Sequence, residues 1–145
     1  MNSSSNNPLV TIITIVFNNV TTIRNAVQSV AYQDYDNIEH VVIDNCSNDG
    51  TLEAINELKD DISLIVSESD EGIYYALNKG IEIANGEIVG FLNADDVLKN
   101  RTTISTIVEN LALSDHDAIY GDLQYFSKNH PHRPTRRWKS GVYSA

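Results

Sequence analysis

Two neighbouring carboxylates, Asp95 and Asp96, are the strongest chemical signal in this sequence. They end the apolar segment EIVGFLNADD, Glu87–Asp96, which has the character of a buried strand. Adjacent acids repel each other unless a proton or a cation relieves them, and a hard divalent ion with oxygen ligands does this in many proteins. An Asp at this place could also cap the next helix, but capping needs only one acid, and Asn100 is better placed for it. The pair therefore predicts a site for Mn²⁺ or Mg²⁺.

A second polar pair, Asp44 and Asn45, follows another apolar run in the segment VVIDNCSNDGT. Such side chains can hydrogen-bond a nucleobase or a ribose, and they can equally hold a tight turn as Asx-turns. The turn interpretation suffices for Asp49 and Gly50. It explains less for Asn45, which projects from the strand end towards the expected crevice.

A third candidate is the helical segment that opens at Gly72 and carries Asn78 and Lys79. The N-terminus of a helix attracts phosphate, and a lysine one face away could pair with a diphosphate. A lysine on a helix is more often a solvated charge, and Tyr74 and Tyr75 more often pack than stack on a ligand. This segment indicates a phosphate site only in combination with the other two polar segments.

The elements that must position these residues are alternating strands and helices, the pattern of βαβ units. In a parallel sheet of this kind, ligands bind beyond the carboxyl ends of the strands, where the candidates lie. Gly86 is expected to end the third helix, because glycine adopts the left-handed conformation cheaply. We therefore predict a doubly wound α/β fold. The predicted strands are Val10–Phe17, Ile38–Asp44, Ile62–Ser67, Glu87–Leu92 and Ala118–Phe126, and the predicted helices are Thr21–Tyr32, Asp49–Leu58, Gly72–Ala84 and Asn100–Leu113.

The composition is that of one globular domain, with 145 residues of which 41% are hydrophobic. The single cysteine, Cys46, excludes an internal disulfide framework and favours a reducing compartment, and no Cys/His spacing resembles a zinc site. Met1–Asn7 is polar and has no signal-peptide pattern, and no apolar run approaches the ~20 residues of a membrane span. These features predict a cytoplasmic protein with a disordered polar tail at 1–8.

The charge is unevenly distributed along the chain. The net charge is −10, all 20 acidic residues lie at or before Asp122, and five of the ten basic residues lie between Lys128 and Lys139. The basic run is either a solvated tail or a patch for an anionic partner, such as a diphosphate or the inner face of a membrane. The acidic body argues against nucleic acid as the main partner.

Taken together and in this order, the segments resemble inverting family-2 glycosyltransferases of the GT-A fold, especially bacterial enzymes of surface-polysaccharide synthesis. The resemblance covers about residues 9–140 and rests on VTIITIVFNN, IDNCSNDGT, DEGIYYALNKGIEIANGEIVGFLNADD, YGD and RRWKSG. It implies a Rossmann-like, mostly parallel sheet with helices on both faces, and a nucleotide-sugar-binding domain at 9–127.

The resemblance also implies roles for the residues at the first two strand ends. Phe17 would lie against the base of the donor, with Asn18 beside it. Asp44 and Asn45 match an Asp-Asp pair of the family, whose second acid contacts uracil. Asn45 departs from that pattern, although an amide can still donate and accept hydrogen bonds.

At the fourth strand, Asp95 and Asp96 match carboxylates that contact the ribose and hold Mn²⁺ or Mg²⁺ against the diphosphate. The metal would stabilise the departing nucleoside diphosphate while an acceptor hydroxyl attacks the anomeric carbon from the opposite face. Two further positions depart from the family. Asn93 stands where an Asp is common, and Leu77 stands where the family has an arginine, with Lys79 two positions on.

Family members usually continue past the RRWKSG-like segment with an acceptor-binding half that includes an aspartate as general base. No acid follows Asp122 here. We therefore expect 128–145 to be a basic tail at the start of such an acceptor-binding half. If the rest of that half is absent, the apolar surface that it would cover favours self-association into homo-oligomers. Asp122 is the remaining candidate for the base, and it could equally fix a turn at a strand end.

The functional expectation is a metal-dependent, inverting glycosyltransferase. It would move a sugar from a nucleoside-diphosphate sugar, UDP-sugar foremost, to a saccharide or lipid-linked acceptor. The alternative is a non-catalytic nucleotide-sugar-binding or assembly module. A nucleotidyltransferase would need a glycine-rich loop after the first strand, and a receiver domain would need acids there; the segment FNNVTT has neither.

Overall fold

Four parallel strands form the sheet that positions the candidate residues in the computed structural model, which describes residues 7–141. They are β1 (Val10–Val16), β2 (Ile38–Asp44), β3 (Leu64–Ser67) and β4 (Ile88–Asn93), in the order β3-β2-β1-β4. All three neighbouring pairs are parallel. The parts of the predicted tails at 1–6 and 142–145 lie outside the described residues.

The helices follow the prediction but are shorter at most of their ends. They are α1 (Ile23–Ala31), α2 (Thr51–Glu57), α3 (Ile73–Ile83) and α4 (Thr103–Leu113), with a 3₁₀ turn at Lys59–Asp61. Thr22, at the N-cap of α1, makes no side-chain cap and instead donates its hydroxyl to the carbonyl of Ala94 at 2.8 Å.

The core lies on both faces of the sheet, because successive side chains of a strand point to opposite sides. On one face, Val10 and Ile12 of β1 pack against α1 and α4, and Val16 packs against α1 and α2. On the other face, Ile13 packs with buried residues of β2 and with Ala76 of α3. The predicted α/β sheet with helices on both faces is confirmed.

Gly86 has a different role from the one predicted. Its φ is not positive, so it does not end α3 by adopting the left-handed conformation. A Cβ at this position would lie 2.6 Å from the backbone nitrogen of Thr11 and 2.8 Å from the carbonyl oxygen of Leu9. The glycine is needed because the chain passes too close to β1 for any side chain.

The chain divides into two compact units, and the second begins at Glu109, inside α4. It contains an antiparallel hairpin of β5 (Leu123–Ser127) and β6 (His130–Trp138). The predicted strand at 118–126 thus begins later, and half of the predicted basic tail, His130–Trp138, forms β6. In the described part of the chain, no helix is long and apolar enough to cross a membrane.

Candidate functional site

A cleft of about 510 Å³ opens at the carboxyl edge of the four-stranded sheet. Parallel strands bring their carboxyl ends to one edge, so segments that are distant in sequence meet there. Five of the predicted site residues line the cleft. The lining residues are Ile15, Val16, Phe17, Asn19, Asn45, Asp70, Gly72, Ile73, Ala76, Asn93, Ala94 and Asp95. A larger hollow of about 650 Å³ beside α1 contains no predicted site residue.

The loop after β1 is tied to the loop after β2 through Asn18. Its Oδ1 accepts a hydrogen bond from the backbone nitrogen of Asn48 at 2.9 Å, and its own backbone nitrogen donates to Ser47 Oγ at 2.8 Å. Its φ of 47° lies in the left-handed region, which Asn tolerates better than most residues. Asn18 is not a lining residue; it fixes the loop that places the adjacent Phe17, whose side chain is 58% exposed at the cleft.

Asp44 is fully buried and does not line the cleft. Its Oδ2 accepts hydrogen bonds from the backbone nitrogen of Ser47 at 3.1 Å and from Ser67 Oγ at 2.7 Å. The carboxylate therefore holds the turn after β2 and joins it to the end of β3. In this structure Asp44 is placed as the turn interpretation expects.

Asn45 lines the cleft, but part of its side chain is already in use. Its Oδ1 accepts a hydrogen bond from the backbone nitrogen of Asp70 at 2.6 Å, and its backbone nitrogen donates to the carbonyl of Val16 at 3.0 Å. The amide thus fixes the segment after β3. Its Nδ2 group, a donor, is what it can offer most readily to a ligand.

Asp70 belongs to the cleft, and the sequence analysis did not select it. Its side chain is 5% exposed, and its Oδ1 accepts a hydrogen bond from Lys79 Nζ at 2.6 Å. Its Oδ2 is shielded from water and has no hydrogen-bond partner among the described residues. Its position three residues after β3, in the polar segment that matches those after the other strands, was the signal that could have found it.

Lys79 is occupied by two acids. Its Nζ lies 2.6 Å from Asp70 Oδ1 and 2.7 Å from Glu68 Oε1, and the hydrogen bonds that it donates to these acids, foremost the one to Asp70, raise the pKa of Lys79. In this arrangement the lysine holds Asp70 in place and does not stand as an unpaired cation for a diphosphate. Asn78 is exposed and does not line the cleft, whereas Gly72 lines it at the start of α3.

The turn after β4 presents two exposed carboxylates. Asp95 lines the cleft, and Asp96 Oδ2 accepts a hydrogen bond from Asn93 Nδ2 at 3.2 Å. The backbone nitrogen of Asp96 also donates to the carbonyl of Asn93 at 3.0 Å. Asn93, which lines the cleft as well, therefore orients Asp96. The bond from Thr22 to Ala94 joins the same turn to the start of α1.

These two carboxylates fit a divalent ion that is shared with a substrate. Across residues 7–141, no group of three or more His, Cys, Asp or Glu side chains is arranged to hold a metal by itself. Mg²⁺ is commonly held by one or two carboxylates together with substrate phosphates and water. Asp95 and Asp96 supply hard oxygen ligands of that number, at an open position beside the cleft.

Asp122 lies in the second unit, just before the hairpin. Its Oδ1 accepts hydrogen bonds from the backbone nitrogen and from Oγ of Ser140, both at 2.9 Å. The carboxylate thus joins the two ends of the hairpin. Its assignment as general base stays a prediction.

A parallel α/β sheet with an open cleft at its carboxyl edge is the arrangement in which Rossmann-like domains bind their ligands. Comparison with known proteins makes this specific: the family description "Glycosyl transferase family 2" matches residues 11–144. The chain belongs to this family.

Named relatives agree with the family. An uncharacterized glycosyltransferase of Mycobacterium tuberculosis is 35% identical over 106 residues, which are 72% of this chain and 40% of the relative. The putative teichuronic acid biosynthesis glycosyltransferase TuaG of Bacillus subtilis is 36% identical over 95 residues, 63% of this chain and 38% of the relative. The chain therefore spans about two-fifths of the length of these curated relatives.

Solved structures share the fold. The mannosyltransferase PcManGT from Pyrobaculum calidifontis, in complex with GDP-Man and Mn²⁺, has a TM-score of 0.69 at 31% identity, covering 86% of this chain and 37% of its own. S. aureus TarS in complex with UDP-GlcNAc has a TM-score of 0.67 at 25% identity, covering 72% and 31%. The resemblance to GT-A glycosyltransferases is confirmed.

Proposed function

We propose that this chain carries the donor site of a metal-dependent, inverting glycosyltransferase that uses a nucleoside-diphosphate sugar, UDP-sugar foremost. The acceptor would be a saccharide or a lipid-linked saccharide in surface-polysaccharide synthesis. The observation that carries the proposal is the single cleft that joins Phe17 and Asn45 to Asp95 along the carboxyl edge of the sheet. Neighbouring strands are about 4.8 Å apart, so β3 and β4 lie three intervals, or ~14 Å, apart. A nucleoside diphosphate can extend over that span.

The nucleotide would lie with its base near the ends of β1, β2 and β3. There the exposed ring of Phe17 offers an apolar face for stacking, and Asn45 offers an amide. The diphosphate would then extend towards the turn after β4. That turn carries Asp95 and Asp96, and its acids could not approach a diphosphate without a cation between them.

Asp95 and Asp96 would hold Mn²⁺ or Mg²⁺, which when bound supplies positive charge to the departing diphosphate. The protein's own contribution is to orient these ligands before substrate arrives. Asn93 Nδ2 fixes one oxygen of Asp96, and Thr22 Oγ1 fixes the turn through the carbonyl of Ala94. Such outer hydrogen bonds commonly determine how well a metal site works.

The chemistry would be a direct displacement at the anomeric carbon. The acceptor oxygen forms the new glycosidic bond on the face opposite the diphosphate while the bond from the anomeric carbon to the diphosphate oxygen breaks, which inverts the configuration. The acceptor proton must pass to a base, and Asp122 is the candidate from the sequence. Support for sugar transfer comes from the names of the relatives, and support for the donor class comes from GDP-Man and UDP-GlcNAc in the two solved complexes.

Calorimetric titration of UDP with Mn²⁺, with Mg²⁺ and with EDTA tests the proposal. The parent chain is expected to bind UDP only when metal is present. In Asp96→Ala most of the gain in UDP affinity that the metal gives should be lost, while thermal unfolding stays unchanged. Asp115→Ala, a substitution of an exposed acid in the second unit, is the matched control and should bind as the parent does. Where sugar transfer is measurable, Asp96→Ala should lower it by about 10²–10³.

Two outcomes would change the conclusion. Equal, metal-dependent UDP binding by Asp96→Ala and the parent would remove Asp96 from the site. Donor binding without transfer to any saccharide or lipid-linked acceptor would favour the alternative of a non-catalytic nucleotide-sugar-binding module.

A further inference from the structure

The carboxylate of Asp70 is the buried acid that lines the cleft. Its side chain is 5% exposed, and Oδ2 has no hydrogen-bond partner among residues 7–141. Leaving a buried polar group unpaired costs about 1–3 kcal/mol, and buried carboxylate oxygens in folded proteins are nearly always paired. Asp70 lines the ligand cleft, so a small rotation of its carboxylate would present this unpaired oxygen to a donor that the ligand brings.

Asp70 is held on two sides by the protein. Lys79 donates to its Oδ1 at 2.6 Å, and Asn45 Oδ1 accepts from its backbone nitrogen at 2.6 Å. The first contact fixes the side chain and the second fixes the backbone. Since both partners lie on other elements, α3 and the end of β2, Asp70 is held beside the cleft before any ligand binds.

Asp70 and Asp95 follow the two outer strands of the sheet. Asp70 comes after β3, the outer strand on one side, whereas Asp95 comes after β4, the outer strand on the other. If the diphosphate lies near β4, Asp70 lies at the end where the base must be. This step rests on the proposed function, which supplies the direction of the nucleotide.

We propose that Asp70 selects the donor nucleotide by accepting a hydrogen bond from the ring N–H of its base. An ionised carboxylate can only accept hydrogen bonds. Uracil and thymine present an N3–H and guanine presents an N1–H, whereas the corresponding ring nitrogens of cytosine and adenine are acceptors. The site therefore favours UDP, dTDP and GDP sugars and rejects CDP and ADP sugars.

Asn45 is less suited than Asp70 to this role. Its carbonyl oxygen is engaged by the backbone nitrogen of Asp70, and its remaining Nδ2 group is a donor, which would oppose a ring N–H. The sequence resemblance places an acid that contacts uracil at position 45. In this chain Asp70 supplies the carboxylate, and Asn45 supports it as a positioning residue.

The test is a binding panel of UDP, dTDP, GDP, CDP and ADP, each with Mn²⁺, on the parent and on Asp70→Asn. The asparagine can keep an oxygen towards Lys79 while an NH₂ donor replaces Oδ2. A site that loses such a pairing discriminates by about 10- to 100-fold. The parent should prefer UDP over CDP by at least about tenfold, and in Asp70→Asn this ratio should fall by about 10- to 100-fold or invert.

Two controls separate recognition from damage to the fold. Glu68→Gln changes the second carboxylate that pairs with Lys79, and the Glu68 side chain is exposed. This variant should keep the parent's ratio of UDP to CDP affinity. A UDP analogue methylated at N3 lacks the ring N–H and tests the parent itself. It should bind about 10- to 100-fold more weakly than UDP.

The outcomes distinguish this inference from the proposed function. Binding of nucleoside diphosphates by the parent with a preference for CDP or ADP, or with no loss for N3-methyl UDP, would overturn the role of Asp70 and leave the donor site standing. A uniform loss of all five ligands in Asp70→Asn, with the UDP-to-CDP ratio unchanged, would also overturn it. Failure of the parent to bind any nucleoside diphosphate would instead reject the proposed function.

Discussion

Acidification should destabilise this protein through one buried histidine, His40 on β2. Its ring is 2% exposed, and Nε2 lies 2.9 Å from the hydroxyl of Thr14 on β1. Burial disfavours the charged imidazolium and lowers the pKa of His40 from 6.5 to about 4, although the backbone of Asp61 acts in the opposite direction. The folded protein therefore keeps His40 neutral at pH values where the unfolded chain binds a proton.

The sign and the size follow from linkage. Between pH 6.5 and 4 the unfolded state binds more protons than the folded state, so the free energy of unfolding falls as the pH falls. The full difference between the two pKa values corresponds to about 3 kcal/mol, at 1.36 kcal/mol for each pKa unit. At pH 5 the folded state has not begun to protonate His40, and the expected loss relative to pH 7.5 is about 2 kcal/mol.

Urea unfolding of the parent and of His40→Gln between pH 5 and 7.5 measures this effect. The variant lacks the titrating group. Between pH 7.5 and pH 5 its free energy of unfolding should therefore fall less than that of the parent, by a difference of at least about 1 kcal/mol. His116→Gln, a change at an exposed histidine, should follow the parent. Glu39 contributes only at lower pH: burial raises its pKa, but hydrogen bonds from Asn85 and Thr11 lower it below 4.5 overall. Equal losses in His40→Gln and the parent would refute the reasoning.

Two further substitutions test the packing and the catalytic assignment. Gly86→Ala should destabilise the fold by about 1–3 kcal/mol in thermal or urea unfolding, because its Cβ would meet the backbone of Thr11 at 2.6 Å and of Leu9 at 2.8 Å. Gly121→Ala, where a Cβ meets nothing within 4 Å, should change the unfolding free energy far less, and equal effects would contradict the packing argument. If Asp122 is the general base, Asp122→Asn should lower sugar transfer by about 10²–10⁴ in a donor-turnover assay while the amide oxygen keeps the bonds from Ser140; unchanged transfer would remove Asp122 from the catalytic residues.

The sheet could be predicted well because its signal is local. The segment Ile38–Asp44 forms β2 with the predicted bounds, since a short apolar run such as Val41–Ile43 that ends at polar residues is typical of a buried parallel strand. The third strand is shorter than predicted, because its ladder with β2 begins only where Leu64 faces Val41. Ile62 is still buried, but in the core rather than in the ladder. A side-chain pattern reveals burial, whereas strand ends depend on the partner strand.

The second unit illustrates the limit more clearly. The segment His130–Trp138 contains two prolines and three arginines, a composition that predicts a tail or a loop rather than a strand. It pairs with β5 as an antiparallel hairpin, and Arg136 lies over the rings of Tyr125 at 5.8 Å and Trp138 at 5.3 Å. The contact between Arg136 and Tyr125 crosses the hairpin and exists only once the two strands have paired, so no property of the segment itself could predict it.

The residue types at the strand ends were predictable, but how each one is used was not. Asp44, Asp70 and Asp95 all follow apolar runs, and the sequence offers no way to rank them. Their surroundings do so: Asp44 is fully buried and bonded to Ser47 and Ser67, whereas Asp70 is paired through one oxygen only. Asp95 is exposed at the cleft. The partners that decide this lie from 3 to 23 residues away in sequence, so they depend on the finished fold.

This ordering gives the cleft a physical logic. A carboxylate whose hydrogen bonds are all made inside the protein can fix a loop but has nothing left to offer a ligand, which is the situation of Asp44. Exposed, adjacent carboxylates such as Asp95 and Asp96 repel each other and are relieved by a cation that the substrate shares. Asp70 is intermediate, because Lys79 fixes one oxygen and so determines where the other can accept a hydrogen bond. The cleft thus has a fixed hydrogen-bonding group, Asp70, and a pair of uncompensated negative charges, Asp95 and Asp96. Two such different groups can orient an asymmetric ligand such as a nucleotide sugar.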